Sequence, residues 1–191
     1  MWTGRILLLV LLLLTGGGWF DALMSKRRKI ALLCAIAVVF GLTLVPTLKT
    51  PSVRVCFAPC AFALCAALLC PTNHPIAAAL AALFGGFLGF KLCDALPLFF
   101  EQGLLIAAAA LVCTPLCRDR NAKTLAIAAA PLVMLMFRMA GDYALFRSTV
   151  LELGTGDALC AQTVGLLVLL AAGTLMDRLW TLRQRRLQAS A

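Results

Sequence analysis

Charged residues that interrupt apolar stretches are the first candidates for chemistry in this sequence. Five of them lie within or between three such stretches: Lys91, Asp94, Glu101, Arg138 and Asp142. The three-residue step from Lys91 to Asp94 and the four-residue step from Arg138 to Asp142 place each pair on one helical face. An unpaired charge in a bilayer costs at least about 2.5–3.5 kcal/mol, so it needs a partner, a water-filled cavity or a function. We predict that the five form a substrate or ion pathway; the alternative is that local ion pairs and snorkelling satisfy helix ends.

A second candidate is the tetrapeptide Gly-Thr-Gly-Asp at 154–157. It is similar to the Gly-x-Gly-Asp motif of intramembrane aspartyl proteases, which include the prepilin peptidases. The resemblance implies a second aspartate that shares a proton with Asp157 and activates water, and Asp142 or Asp94 could supply it. The Lys-Leu that often follows the prepilin motif is absent, because Ala-Leu stands there. A glycine turn followed by an Asp N-cap explains the same residues, so the protease is kept as a remote alternative.

The chain has nine cysteines, which include two Cys-x3-Cys pairs, Cys56 with Cys60 and Cys113 with Cys117. Four thiolates that converge can bind zinc. The first pair begins one predicted membrane span and the second ends another on the opposite side, so we expect the two pairs to lie far apart. Buried free cysteine acts as a small apolar residue. We therefore predict apolar filling, with no metal site and no disulfide framework.

Sequence motifs for cofactor chemistry are missing. There is no Walker A loop and no dinucleotide-binding glycine fingerprint. The single histidine, His74, cannot form a zinc-binding histidine pair, and we find no Ser-His-Asp set around it. We therefore predict no cofactor and no enzymatic activity.

The composition indicates the environment that must position these residues. Of 191 residues, 63% are hydrophobic and 13% are charged, against about 45–50% and 25% in soluble globular domains. A soluble core of ordinary size could not bury so much apolar surface. A membrane-crossing helix needs about 20 mostly apolar residues, and runs of about this length recur along the chain. We predict an all-α, polytopic transmembrane helix bundle.

Short polar breaks separate seven apolar segments, which predict seven spans at 6–24, 30–48, 55–70, 76–93, 96–117, 124–146 and 157–176. The fourth break is the weakest, since only Lys91, Asp94 and Pro97 mark it, and one re-entrant unit is the alternative. The basic region before the first segment is only Arg5, so we expect an uncleaved helix and not a signal peptide. We treat 1–176 as one transmembrane domain and 177–191 as a basic cytosolic tail that continues the last helix.

Basic residues predict the orientation. With the run at 26–29 in the cytosol, the inner segments hold eleven Lys and Arg residues and the outer segments hold five. The positive-inside rule then places the N-terminus outside and the C-terminus in the cytosol. For the same reason we interpret the net charge of +9 as contact with anionic lipid headgroups, and not with nucleic acid. The residues predicted to make this contact are Lys26, Arg27, Arg28, Lys29, Arg183, Arg185 and Arg186.

Small residues predict how the helices pack. Lipid tails are as apolar as leucine, so helices associate in a bilayer through close backbone contact. In the fourth segment small residues recur every four positions, at Ala77, Ala81, Gly85 and Gly89. They form one smooth helical face, which favours a central position for this helix. Pro131 should kink the sixth segment.

Two functional hypotheses follow from these patterns. The first is a non-enzymatic subunit or assembly partner of a membrane complex, which implies a membrane protein partner or a homo-oligomer. Its support is the short loops and the helices rich in small residues. The second is a small transporter or substrate-binding membrane subunit that uses the outer polar cluster, and interrupted helices favour it. The short loops and the lack of an organelle-targeting segment favour a bacterial cytoplasmic membrane.

Overall fold

The computed structural model describes residues 2–23, 25–50, 53–96, 101–144 and 151–189. These residues form seven α-helices: α1 (Trp2–Gly16), α2 (Lys26–Leu44), α3 (Phe57–Leu69), α4 (Pro75–Ala95), α5 (Gln102–Cys113), α6 (Arg120–Ala144) and α7 (Gly156–Ala189). Short 3-10 helices follow α1 at Asp21–Leu23 and α5 at Thr114–Leu116, and three short strands are β1 (Leu48–Lys49), β2 (Val53–Val55) and β3 (Leu151–Leu153). The predicted helical architecture is confirmed.

Three helices are long and apolar enough to cross a membrane: α4, α6 and the part of α7 at Gly156–Gln184. Shorter apolar helical segments lie at Thr3–Gly16, Phe57–Leu69 and Gln102–Leu116. The predicted spans were therefore too uniform in length. The first helix ends at Gly16, because the glycines that follow leave the helix and Gly18 adopts a φ of +82°, which favours glycine. Between the fourth and fifth segments, α4 and α5 are separate helices; Pro97 lies outside the described residues.

Contacts between helix termini show that α1 runs antiparallel to α2 and that α3 runs antiparallel to α6. At one end of the bundle, Arg5 of α1 donates a hydrogen bond to the carbonyl oxygen of Thr43 in α2. At the other end, the side chain of Asn121 in α6 donates to the carbonyl oxygen of Pro71, just after α3, over 2.7 Å. We name the first end, which holds the three strands, the sheet end. The other end, which holds the N-termini of α2, α4 and α6, is the basic end.

A three-stranded sheet lies at the sheet end and was not predicted. β1 pairs antiparallel with β2, and β2 pairs in parallel with β3. In the parallel pair Val53 stands opposite Leu151, and Val55 stands opposite Leu153. Each of these strands alternates apolar, charged and apolar residues, the two-residue period of a strand. Because three residues hardly establish a period, both segments were interpreted as polar breaks.

The small-residue face of α4 packs inside the bundle, against α5 and α6. A Cβ at Gly85 would stand 3.1 Å from the Cα of Ala110, and a Cβ at Gly86 would stand 2.9 Å from the carbonyl oxygen of Ala130 and from the backbone nitrogen of Met134. Backbone atoms cannot turn aside as a side-chain end can. The close approach of α4 and α6 therefore requires glycine at position 86, since any side chain would push the two helices apart.

Gln162 joins three helices through a buried polar contact that the sequence analysis missed. Its side chain is fully buried on α7 and donates to the carbonyl oxygens of Pro59 in α3, over 3.0 Å, and Ala128 in α6, over 2.7 Å. Its Oε1 has no hydrogen-bond partner within the described part of the chain. Pro131 lies within α6 and removes one helical hydrogen bond there. Gln162 thus ties α3 to α6 close to this weakened point.

Candidate functional site

The five residues of the predicted pathway all lie at the sheet end. Lys91 and Asp94 belong to the last turns of α4, Arg138 and Asp142 belong to the last turns of α6, and Glu101 directly precedes α5. All are exposed except Asp142, which is half-buried. Their shared location is compatible with a pathway, and their role in one stays a prediction.

The local ion pairs that were the alternative to a pathway are absent from the described part of the chain. Among the described residues, no salt bridge joins Lys91 to Asp94 or Arg138 to Asp142. The Lys91 ammonium instead lies 5.3 Å from the centre of the Phe90 ring, within the range of a cation–π contact. These charges therefore face outward at the rim of the bundle.

The glycine turn at 154–157 positions the start of α7. Gly154 has a φ of +79° and approaches Cys56 so closely that a Cβ would meet its carbonyl oxygen. The Thr155 hydroxyl accepts a hydrogen bond from the backbone N–H of Ala158 over 3.1 Å, so Thr155 makes the capping contact. Our expectation that Asp157 is the N-cap was wrong. Asp157 lies in the first turn of α7, where its negative charge is attracted by the positive end of the helix dipole. This local role explains the tetrapeptide, and the second catalytic aspartate stays a prediction.

The two cysteine pairs lie at opposite ends of the bundle. Cys56 is at the sheet end beside Gly154, and the Cys117 thiol is at the basic end, 3.6 Å from the carbonyl oxygen of Ala77. All nine cysteines are free thiols. Within the described ranges, no three His, Cys, Asp or Glu residues gather as metal ligands would.

The predicted headgroup contacts begin at the basic end. Lys26, Arg27 and Arg28 are exposed in the first turn of α2, and the Lys29 ammonium forms an ion pair with Asp21 at 2.7 Å. Arg183 is exposed near the end of α7. Arg185 and Arg186 also belong to α7, but their side chains lie outside the described part.

A cavity of about 140 Å³ opens at the basic end. Its walls come from α2, α3, α6 and α7, and Leu23 contributes from the segment before α2. Almost all of the deeper lining is aliphatic or aromatic, including Leu32, Ile36, Val39, Phe62, Ala66, Leu166 and Leu170. An apolar cavity of this kind is suited to a hydrocarbon group.

The polar residues of the lining lie together at the basic end, and because two of them are exposed arginines we call this end the opening of the cavity. Arg28 from α2 and Arg120 from α6 lie there, together with Asn121, Thr124 and Cys70. Both arginines are exposed at helix N-termini, and neither forms a salt bridge with any described residue. The positive ends of α2 and α6 add to the same field. An anionic group at this opening would therefore be attracted by two guanidinium groups and two helix termini.

Gly173 makes room for one of these guanidinium groups. A Cβ at Gly173 would overlap with the guanidinium nitrogen of Arg120 and would stand 3.2 Å from a methyl carbon of Leu23. The Arg120 side chain thus crosses α7 at a position that has no side chain. A side chain at position 173 would therefore displace the guanidinium from the cavity opening.

An apolar chamber with a cationic opening can hold a molecule that has one apolar and one anionic part. The sequence analysis counted Arg120 only toward topology and predicted Arg28 as a general headgroup contact. The cavity itself was not predicted, because four separate segments of the chain line it. Gly173 interrupts an otherwise apolar helix and was the one local signal of a close approach.

The comparisons with known proteins add no family to this description. No protein-family model matches the sequence, and no curated protein or solved structure matches the chain.

Proposed function

We propose that this chain is a non-enzymatic, multi-pass membrane protein that binds an anionic amphiphile, as the substrate-binding subunit of a membrane complex. The observation that supports the proposal is an apolar cavity with Arg28 and Arg120 at its open end. The apolar wall suits a hydrocarbon chain, and guanidinium groups suit phosphate or carboxylate. Ligand binding alone accounts for the residues that line the cavity.

We further propose that all seven helices cross the bilayer, with the N-terminus outside and the C-terminus in the cytosol of a bacterial cell. The N-termini of α2, α4 and α6 lie at the basic end, while α1 and α7 begin at the sheet end, and this alternation along the chain supports the topology. The 15 residues of α1 span only about 22 Å at 1.5 Å per residue, less than a hydrocarbon core of about 30 Å. The 3-10 segment at Asp21–Leu23 extends this passage, and local thinning accommodates the rest.

The positive-inside rule places the basic end in the cytosol. The cavity then opens at the level of the cytoplasmic leaflet, where anionic lipids create a negative surface potential. A lipid of that leaflet could enter without crossing the membrane. This location supports a lipid-derived ligand over a water-soluble one.

Two other proposals from the sequence are retained with less support. Transport through the charges at the sheet end is supported by their common location alone. A membrane protein partner or a second copy of the chain would need a surface other than the small-residue face of α4. Gly85, Gly86 and Gly89 on that face are buried against α5 and α6.

The proposal is tested by lipid binding to the full chain in nanodiscs of zwitterionic lipid, read by native mass spectrometry. Arg120→Gln and Arg28→Gln should each weaken the binding of anionic lipid about 10- to 100-fold, since a hydrogen bond to a charged group contributes roughly 1.5–3 kcal/mol. Arg118→Gln is the matched control, because it removes an exposed arginine that does not line the cavity. Equal losses in all three variants would show that binding follows overall charge, and the proposal would then fail.

A further inference from the structure

We infer that the ligand of the cavity is a single-chain lipid whose head group is a phosphomonoester. The inference rests on the proposed function and narrows its ligand. Two observations carry the inference: the charge at the cavity opening and the volume of the apolar chamber below it.

The opening carries two positive charges that no described residue neutralises by a salt bridge. Arg28 and Arg120 supply them from two different helices. Asp21 pairs with Lys29 at 2.7 Å. Asp119 precedes Arg120 and keeps its negative charge, but within the described part of the chain it forms no salt bridge with either arginine. Two arginines therefore remain for the ligand.

A phosphomonoester matches this arrangement better than a phosphodiester. It carries a charge of about −1.5 to −2 at pH 7 and three terminal oxygens, so it can bond both guanidinium forks at once. A diester carries one charge and two such oxygens. The Arg120 guanidinium lies close to Gly173, so one guanidinium fork already stands at the opening.

The apolar chamber is long relative to its volume. Its α2 wall runs from Arg28 to Val39, a rise of about 16 Å at 1.5 Å per residue. Its volume is about 140 Å³, and an engineered cavity of about 150 Å³ in another protein holds a single benzene molecule. This volume admits part of one hydrocarbon chain, and a second chain would have to lie outside the cavity.

The test compares four probes on the full chain in nanodiscs: lysophosphatidic acid, phosphatidic acid, lysophosphatidylglycerol and inorganic phosphate. At pH 8 we expect lysophosphatidic acid to bind at least tenfold more tightly than each of the others. At pH 5 its advantage over lysophosphatidylglycerol should shrink severalfold. The monoester dianion takes up a proton near pH 6 and becomes a monoanion, while arginine stays charged. Arg120→Gln should remove the preference, and Arg118→Gln should retain it.

Each contrary outcome has a separate meaning. Equal affinity for lysophosphatidic acid and lysophosphatidylglycerol at pH 8, with both weakened by Arg120→Gln, would overturn this inference and leave the proposed function standing. Tighter binding of phosphatidic acid would refute the single chain. Inorganic phosphate that binds as tightly as the lipid would refute a lipid ligand. Lipid binding indifferent to Arg120 and Arg28 would overturn the proposed function itself, provided that thermal unfolding shows both variants to be folded.

Discussion

The guanidinium of Arg120, at the start of α6, lies over Gly173 on α7. The contact joins two helices at the opening of the cavity and directs a cation across it. Leu23, from the segment that precedes α2, touches the same glycine and also lines the cavity. Because residue 173 is a glycine, the Arg120 guanidinium and the Leu23 side chain can both lie close to α7 at this point.

Gly173→Ala should displace Arg120 without unfolding the protein. The new methyl group would overlap with the guanidinium and crowd Leu23, and both are side-chain ends that can move aside. We expect severalfold weaker lipid binding with little change in the melting temperature. Gly41→Ala is the control, since nothing lies within 4 Å of a Cβ there; it should leave binding unchanged. Equal binding by both variants would contradict a role for the Arg120 position.

Gly86→Ala should destabilise the bundle itself. Its Cβ would stand 2.9 Å from two backbone atoms of α6, and overpacking of this kind costs about 1–3 kcal/mol. We expect a lower free energy of unfolding in detergent titrations followed by circular dichroism. Gly89→Ala is the matched control, because its nearest atom would be 3.6 Å away. If both variants unfold alike, the close contact of α4 with α6 is not as described.

Gln162→Leu should change stability little, by less than about 1 kcal/mol. The substitution removes the two hydrogen bonds to Pro59 and Ala128, and such bonds within membrane helices average only about 0.6 kcal/mol. It also removes a buried Oε1 that has no partner among the described residues, which offsets the loss. Gln162→Ala should cost more, because it leaves a cavity. Unfolding titrations of the two variants in parallel distinguish these effects, and a larger loss for leucine would refute the argument.

Ligand binding should protect the thiols that line the cavity. Cys65 and Cys70 are lining residues, whereas Cys34 is exposed on α2 outside the cavity. With saturating lysophosphatidic acid, N-ethylmaleimide should alkylate Cys65 and Cys70 more slowly, as followed by peptide mass spectrometry. The rate at Cys34 should not change. Uniform slowing at all three would indicate a general effect of the lipid on the reagent and not occupancy of the cavity.

The helical character of the chain could be predicted, because the thickness of the bilayer sets the apolar composition and the length of the segments that cross it. Arg28 was predicted as a headgroup contact, because it belongs to a basic run that the positive-inside rule places near lipid headgroups. The termini of the helices were less predictable: Gly18 ends the first helix early through its backbone conformation, which hydropathy does not register. The strand at Val53–Val55 depends on a partner at Leu151–Leu153, almost one hundred residues away.

The cavity could not be predicted from sequence, because its residues become neighbours only when four helices pack. Arg120 has no local feature that separates it from Arg118. What separates them is the space above Gly173, which is a property of α6 and α7 together. Gln162 shows the same limit, since its two acceptors lie on α3 and α6.

The most direct measurement is crosslinking with a single-chain phosphomonoester lipid that carries a photoreactive group in its tail. The account predicts crosslinks to the lining residues of α2, α3 and α7, such as Ile36, Phe62 and Leu166, and their loss in Arg120→Gln but not in Arg118→Gln. Crosslinks confined to outward-facing residues such as Leu80 or Phe84 on α4, in equal yield for both variants, would contradict it.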